Sequence, residues 1–245
     1  FDWQDYTADQ VLSIRDGVIV DIDDNITQVD ISLQGLVVPG YIDLQVNGGG
    51  GALFNDAPSL STIQTMMKAH SQYGTTAMLP TLITDNIEVM SKAADAIAMA
   101  IADKVPGILG IHFEGPHLSV AKKGAHVAQY IRPISEQEWS ILSRKDLGQI
   151  LVTLAPETVT CEEIERMVSL GIKVSLGHSN ADYNTAQMAI NAGADGFTHL
   201  YNAMSPIQGR APGVTGCALL NDEASCGLIV DGHHVDYASC QLALK

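Results

Sequence analysis

The stretch VPGILGIHFEGPHLSVAKKGAH, residues 105–126, begins as an apolar run, continues into a loop, and carries three histidines and a single acid. The run around Ile111 has the continuous apolar character of a strand that is buried on both faces. His112 and Glu114 are two residues apart, so their side chains share one face of that strand. Burying such groups without partners costs on the order of several kcal/mol for each charge. The stretch therefore predicts a buried strand whose carboxyl end belongs to a functional site.

Similar apolar runs recur along the chain and alternate with helical patterns such as residues 59–73 and 180–193. The runs are GLVVPGYIDLQVN (35–47), TTAMLPTLI (75–83), GILGIHFEG (107–115), QILVTLAP (149–156), IKVSLGH (172–178), GFTHLYNA (196–203) and CGLIVDGHHV (226–235). Strands of this kind between helices predict a parallel sheet covered by helices. We predict an α/β fold, a (β/α)8 TIM-like barrel of which seven strands are present. An open doubly wound sheet is the alternative, and polar residues at several strand ends favour the barrel.

The first part of the chain has a different pattern. VLSIRDGVIVDI, residues 11–22, predicts two short strands around the turn Asp16-Gly17. We therefore predict β-structure ahead of a barrel that spans residues 36–245, and the family resemblance described below implies that residues 1–35 are part of a small flanking β-domain. Seven strands would leave the barrel with two unpaired edges, so we expect the sequence to be a fragment of a longer chain that supplies the last strand.

Composition excludes several classes of partner. The chain has 28 Asp and Glu against 13 Lys and Arg, a formal net charge of −15, which opposes binding to nucleic acid or to anionic membranes. No apolar run approaches the roughly 20 residues that span a bilayer. The four cysteines form no C-x-x-C pair and are expected to be reduced, as in a cytoplasmic protein.

Three ionisable residues at strand ends form a candidate metal site. Glu114 and His178 lie at the ends of two predicted strands and His199 lies at the middle of a third, and the carboxyl ends of such strands meet at one edge of a parallel sheet. A carboxylate and two imidazoles with an open position are typical of a catalytic metal centre, whereas a structural zinc site has four protein ligands. We predict one divalent ion, with Zn²⁺ preferred and Fe²⁺ or Mn²⁺ as alternatives. For His70 and His117 we expect structural or surface roles.

Two loops have further features. NGGGGA, residues 47–52, lacks the Gly-Lys-Ser/Thr ending of a phosphate-binding loop and is predicted to be a tight turn. The Gly/Pro-rich loop 202–213 carries one cation, Arg210, which in so acidic a chain suits an anion; a solvated loop arginine is the alternative.

Five motifs in order give the chain a family resemblance. They are VPGYIDLQVNGGGG (38–51), HFEGPHLS (112–119) with KKGAH (122–126), LGHSNA (176–181), THLYNAM (198–204) with GRAPG (209–213), and DGHHVD (231–236). Together they resemble the N-acetylglucosamine-6-phosphate deacetylases of the amidohydrolase superfamily, from about residue 35 to the end. The resemblance implies hydrolysis of the N-acetyl group of N-acetylglucosamine 6-phosphate to glucosamine 6-phosphate and acetate. It also implies Glu114, His178 and His199 as ligands of a single divalent metal.

The same resemblance implies further site residues and a homodimer. Its substrate contacts correspond to Ala125, His126, Asn202, Ala203, Arg210 and His234. Arg210 would bind the phosphate, and His234 would polarise the amide carbonyl. The family's proton-transferring aspartate follows the eighth strand, so we expect it beyond Lys245 and predict no catalytic residue of that kind within the sequence. The alternatives are another amidohydrolase, acting on a cyclic amide or a nucleobase, and an inactive fragment that binds metal and sugar phosphate.

Overall fold

The computed structural model describes residues 10–24 and 29–245, in two compact units of which the first ends at Pro39 and the second spans Gly40–Lys245. The first unit contains an antiparallel hairpin of β1 (Val11–Arg15) and β2 (Val18–Asp23). Asp16 and Gly17 in its turn have φ of 52° and 77°, the left-handed conformation that an Asp-Gly hairpin turn requires. The predicted hairpin is confirmed. The assignment of residues 1–35 to a flanking domain stays a prediction, and its residues 1–9 and 25–28 lie outside the described part.

The second unit is built on one parallel sheet. In chain order its strands are β3 (Tyr41–Val46), β4 (Gly48–Gly49), β5 (Ala52–Leu53), β6 (Thr75–Ile83), β7 (Gly110–Glu114), β8 (Gln149–Leu154), β9 (Lys173–Leu176), β10 (Gly196–Phe197) and β11 (Ser225–Cys226). Seven of them pair in parallel in the order β3-β6-β7-β8-β9-β10-β11. Sheet neighbours follow one another in the chain, which gives the curled half-barrel of an incomplete TIM-like fold. The predicted fold class is confirmed.

Helices connect and cover these strands. Seven α-helices occur within the described residues: α1 (Leu60–Ser71), α2 (Ile87–Ala102), α3 (Glu136–Leu142), α4 (Cys161–Ser169), α5 (Tyr183–Asn191), α6 (Gly213–Leu220) and α7 (Tyr237–Ala243). Two 3-10 turns, Val120–Lys122 and Ala128–Tyr130, lie in the loop after β7. Capping side chains set several helix starts, as where Asn86 accepts a 2.9 Å hydrogen bond from Val89 N. None of the described helices is long and apolar enough to cross a membrane.

The pattern of residue types predicts some element boundaries and misses others. The helix α6 does not emerge from the sequence because GVTGCALL has no polar face, and Gly213 to Ala218 are all buried. The strands β10 and β11 are shorter than the apolar runs that contain them. The strand β10 ends before His199, Tyr201 and Ala203, whose φ values of 40°, 75° and 48° are incompatible with extended backbone.

The core lies between the sheet and its helices. It includes β7, the strand that ends at Glu114. Ile111 and Phe113 of β7 are buried, together with Met78 of β6 and Ile97 of α2. The glycine run after β3 forms the small antiparallel pair β4–β5. The predicted tight turn at residues 47–52 is therefore confirmed.

A buried acid in α3 predicts pH-dependent stability. Burial would raise the pKa of Glu138, but hydrogen bonds from Ser135 and Arg132 outweigh it and lower that pKa below its usual value. Arg132 Nε donates to Glu138 Oε1 at 2.6 Å. A carboxyl group with a lowered folded-state pKa stabilises the fold above its unfolded pKa of about 4.5, and this stabilisation is lost as the pH falls through the folded-state pKa. We expect Glu138→Gln to cost about 2 kcal/mol at neutral pH and progressively less in acid.

Urea unfolding of the wild type and Glu138→Gln over a series of pH values below neutrality measures this difference. Glu165→Gln, at an exposed position of α4, is the matched control and should follow the wild type. A cost for Glu138→Gln that does not change with pH would contradict the expectation.

Candidate metal centre

Three side chains from separate strand ends converge at the carboxyl edge of the sheet. Glu114 is the last residue of β7, whereas His178 and His199 each follow the end of a strand, β9 and β10, by two residues. All three are buried, and their ligand atoms lie within 4.8 Å of one another. Because parallel strands present their carboxyl ends at the same edge, distant sequence positions become neighbours there.

The separations within this trio suit a small cation. Glu114 Oε1 lies 3.2 Å from His178 Nε2 and 3.3 Å from His199 Nε2, and the two nitrogens are 2.9 Å apart. A tetrahedral ion with ligands at about 2.1 Å separates its ligand atoms by about 3.4 Å. Two of the separations match that value, and the third is shorter.

Backbone carbonyl groups orient both imidazoles. His178 Nδ1 lies 2.9 Å from Lys122 O, and His199 Nδ1 lies 3.0 Å from Asn202 O. A carbonyl oxygen accepts only, so each Nδ1 carries the proton, and the neutral ring keeps a lone pair on Nε2. Two nitrogen lone pairs and a carboxylate oxygen therefore face one another, an arrangement that a bound cation satisfies.

The acid of the trio is ionised. Burial would raise the pKa of Glu114, but in the absence of metal, where imidazole Nε2 atoms can carry a proton, hydrogen bonds from His178 and His199 hold that pKa well below the usual range; a cation in the same place would act in the same direction. Gln45 Nε2 on β3 also donates to Glu114 Oε1 at 2.8 Å. The amide fixes the oxygen that faces the two imidazoles, an orienting contact typical of metal centres. The side chains present thus fit a divalent ion in charge, donor type and orientation.

The loops that carry the two histidines are held in an uncommon backbone conformation. His178 and His199 have φ of 48° and 40°, in the left-handed region that non-glycine residues rarely adopt. Ser179 N donates to Ala203 O at 3.0 Å, and Ser205 N donates to Ser179 O at 3.0 Å. These bonds join the loop after β9 to the loop after β10, so the surrounding structure maintains the strained conformation.

Two other buried histidines, His112 and His117, have structural partners. His112 lies between Thr81 Oγ1 at 3.2 Å and Thr153 Oγ1 at 2.8 Å, and burial lowers the pKa of His112 to about 4. His117 Nδ1 donates to Arg132 O at 2.9 Å. These contacts agree with the structural role expected for His117, and His70 likewise bonds Gly48 O from α1.

Some predicted substrate residues lie beside the trio. His126 is buried, with Nε2 3.8 Å from Glu114 Oε2 and its ring centroid 4.3 Å from that of His178. Ala125 precedes it at an exposed position. Asn202 and Ala203 lie in the loop after β10, where their carbonyl oxygens accept from His199 Nδ1 and Ser179 N.

Arg210 and His234 lie in other surroundings. Arg210 is exposed in the loop before α6 and lines a cavity of about 510 Å³ together with Asn180, Ser205 and Gln208. It forms no ion pair with any described residue. His234 is exposed in the segment after β11, where its Nδ1 lies 2.6 Å from Asp231 Oδ2. The structure does not place either side chain in contact with the trio, and their substrate roles stay predictions.

A model of the amidohydrolase family matches residues 36–244. The chain belongs to the amidohydrolase family. This family is metal-dependent, and Glu114, His178 and His199 form a possible metal site in this member. The resemblance that the five motifs predicted is confirmed at the level of the family.

Curated relatives of this amidohydrolase are amino-sugar phosphate deacetylases. Over 211 residues it is 58% identical to N-acetylgalactosamine-6-phosphate deacetylase of Shewanella sp. (strain ANA-3), which covers 86% of this chain and 54% of the relative. Over 217 residues it is 41% identical to N-acetylglucosamine-6-phosphate deacetylase of Haemophilus influenzae. The aligned region is 88% of this chain and 57% of that relative. The chain thus spans about half the length of the curated relatives it matches.

Solved structures of such enzymes share the fold. N-acetylglucosamine-6-phosphate deacetylase of Pasteurella multocida has a TM-score of 0.90 and 42% identity, with 98% of this chain and 65% of that chain covered. A mutant of the Mycobacterium smegmatis enzyme in complex with N-acetyl-D-glucosamine-6-phosphate has a TM-score of 0.81 and 29% identity. The superposed region is 95% of this chain and 61% of that chain.

Proposed function

We propose that the protein hydrolyses the N-acetyl group of N-acetylglucosamine 6-phosphate, releasing glucosamine 6-phosphate and acetate. The observation that carries the proposal is the convergence of Glu114, His178 and His199 with their lone pairs facing one another at the carboxyl edge of an amidohydrolase sheet. The names of the relatives support the substrate class, because the two curated relatives described above are amino-sugar 6-phosphate deacetylases.

The three residues of the trio would hold one divalent ion, for which Zn²⁺ is our first choice and Fe²⁺ or Mn²⁺ are alternatives. When bound, such an ion polarises an amide carbonyl and lowers the pKa of water. The ionised Glu114 offsets part of the ion's charge, and Lys122 O and Asn202 O keep both imidazoles in the tautomer that can coordinate. Gln45 limits how far the carboxylate can turn.

The substrate contacts are the second part of the proposal. His126, with Ala125 before it, would contact the sugar beside the ion, and Asn202 and Ala203 would do so through the loop after β10. His234, exposed in the segment after β11, would polarise the amide carbonyl.

Arg210 is proposed to bind the 6-phosphate. Its guanidinium is exposed and has no carboxylate partner among the described residues, and it is suited to bidentate phosphate binding. We further propose that the protein is a homodimer, in which Arg210 can serve the neighbouring subunit's site, and that it is cytoplasmic. Four free cysteines accord with a reducing compartment.

Changing Arg210 to alanine tests the phosphate contact. We expect KM for the 6-phosphorylated substrate to rise by about 10- to 100-fold with a smaller change in kcat, because a charge-assisted contact to a non-reacting group is lost. The KM for unphosphorylated N-acetylglucosamine should not change. Lys92→Ala, an exposed charge on α2, is the control for the change in net charge. Equal effects of Arg210→Ala on both substrates would contradict the assignment.

The identity of the sugar has a second candidate. The 58% identical relative is named for N-acetylgalactosamine 6-phosphate, which favours the epimer at C4 as an alternative substrate. The purified protein, as the cell produces it, is assayed for acetate release from each of the two sugar phosphates. The sugar phosphate with the larger kcat/KM is the preferred substrate.

The same assay tests the proposal as a whole. We expect acetate release that is lost on chelation and restored by Zn²⁺, Fe²⁺ or Mn²⁺. Turnover of a cyclic amide but of neither sugar phosphate would instead support a different amidohydrolase. Thermal stabilisation by sugar phosphate without acetate release would support a binding protein that lacks catalysis.

A further inference from the structure

Three imidazoles surround Glu114, and their backbone partners differ in kind. The Nδ1 atoms of His178 and His199 each face a carbonyl oxygen, as described above. The Nδ1 atom of His126 instead faces a donor, because Thr84 N donates to it at 3.2 Å. Thr84 Oγ1 lies 2.8 Å from the same nitrogen. Thr84 follows β6 directly, so its amide belongs to the sheet edge that carries the site.

A backbone N–H cannot accept a hydrogen bond, so this contact decides where the proton of His126 lies. Nδ1 must offer a lone pair, and the neutral ring then carries its proton on Nε2. If His126 were an imidazolium, its Nδ1–H would point at the N–H of Thr84. The contact with Thr84 N therefore favours a neutral ring whose proton lies on Nε2.

The Nε2 atom of His126 points towards the trio. It lies 3.8 Å from Glu114 Oε2, beyond hydrogen-bond distance, and makes no hydrogen bond with another residue in the described part of the chain. A nitrogen that carries a proton cannot coordinate a cation, but it can donate to an oxygen atom of water or substrate bound beside one.

We propose that Thr84 is a positioning residue that locks His126 as an Nε2–H donor and so excludes this imidazole from the metal coordination. A carbonyl oxygen faces Nδ1 of His178 and His199, whereas an N–H group faces Nδ1 of His126. This difference makes the first two histidines metal ligands and the third a hydrogen-bond donor, although all three pack around one carboxylate. The centre thereby keeps three protein ligands and an open position. The inference concerns the metal centre of the proposed function, but the state of His126 can be measured without metal.

The experiment is NMR of the whole protein labelled with ¹⁵N-histidine, at neutral pH, first free of metal and then loaded with an NMR-active isotope of cadmium. We expect His126 to give a pyridine-like resonance at Nδ1 and a pyrrole-like resonance at Nε2 in both states, with a tautomer preference of roughly tenfold or more. Cadmium couplings should appear at Nε2 of His178 and His199 and be absent from His126. The variant His126→Gln assigns the signals by removing one set.

Thr84→Val removes the hydroxyl group but keeps the amide, so it should leave the tautomer of His126 unchanged. A pyrrole-like Nδ1 in wild-type His126, or a cadmium coupling at its Nε2, would overturn the inference. A change of the His126 tautomer in Thr84→Val would mean that the Thr84 hydroxyl, and not its backbone amide, sets the tautomer. That result would also overturn the inference. Absence of cadmium couplings from all three rings would count against the metal centre, while the metal-free spectrum would still decide the tautomer.

Discussion

Replacing Glu114 with alanine is expected to remove bound metal from the protein and to abolish acetate release with it. Glu114 is the only anionic member of the described trio, and its oxygen lies 3.2 and 3.3 Å from the two imidazole nitrogens. Changes to residues that merely orient a ligand lower metal affinity by about 10- to 100-fold. Loss of the ligand itself should therefore cost at least about 100-fold. Metal content after dialysis and the rate of acetate release are the two measurements.

Two further variants make this test specific. Glu114→Gln preserves the shape of the side chain without its charge and should lose metal nearly as completely, whereas Glu165→Gln should retain wild-type content. Circular dichroism should show that all three variants are folded. Wild-type metal content in Glu114→Ala would refute the assignment of the trio, whatever the activity. Metal loss with acetate release retained would instead show that the proposed activity does not depend on the proposed metal.

The largest loss of folding stability is expected from a substitution at Gly110, at the opposite end of β7 from Glu114. Gly110 begins β7 and pairs with Gln149 of β8. A Cβ atom at position 110 would lie 1.9 Å from Gln149 O and 2.5 Å from Gln149 N. Both are backbone atoms, and Gln149 N is already bonded to Leu109 O at 2.9 Å, so neither can move without breaking the pairing of the two strands. We expect Gly110→Ala to lower the free energy of unfolding by about 3 kcal/mol or more, or to prevent folding.

Gly209→Ala is the matched control for this prediction. A Cβ atom there would meet nothing within 4 Å, and the φ of Gly209 lies outside the left-handed region. Its free energy of unfolding should stay within about 0.5 kcal/mol of wild type. Urea denaturation of the purified variants, or soluble yield if Gly110→Ala does not fold, measures the difference. Equal stability of the two variants would contradict the steric argument.

The order of elements was predictable from the sequence because it depends on local patterns. Apolar runs such as residues 75–83 and 107–115 predicted β6 and β7, and Asp16-Gly17 predicted the first hairpin. The ends of the later strands were not predictable, since β10 stops where the backbone turns left-handed at His199. Residue type alone does not reveal that turn, because histidine adopts this conformation only when the surrounding structure enforces it.

For the site, the residue types and their positions near strand ends could be predicted without the structure. Glu114, His178 and His199 stand out because an acid and imidazoles next to apolar strands need a partner. Their roles relative to His126 depend on backbone atoms that the folded loops place beside each ring. Lys122 O, Asn202 O and Thr84 N decide which nitrogen of each ring carries a proton. A backbone group is the same at every position of the sequence, so only the tertiary structure can decide which one faces a given ring.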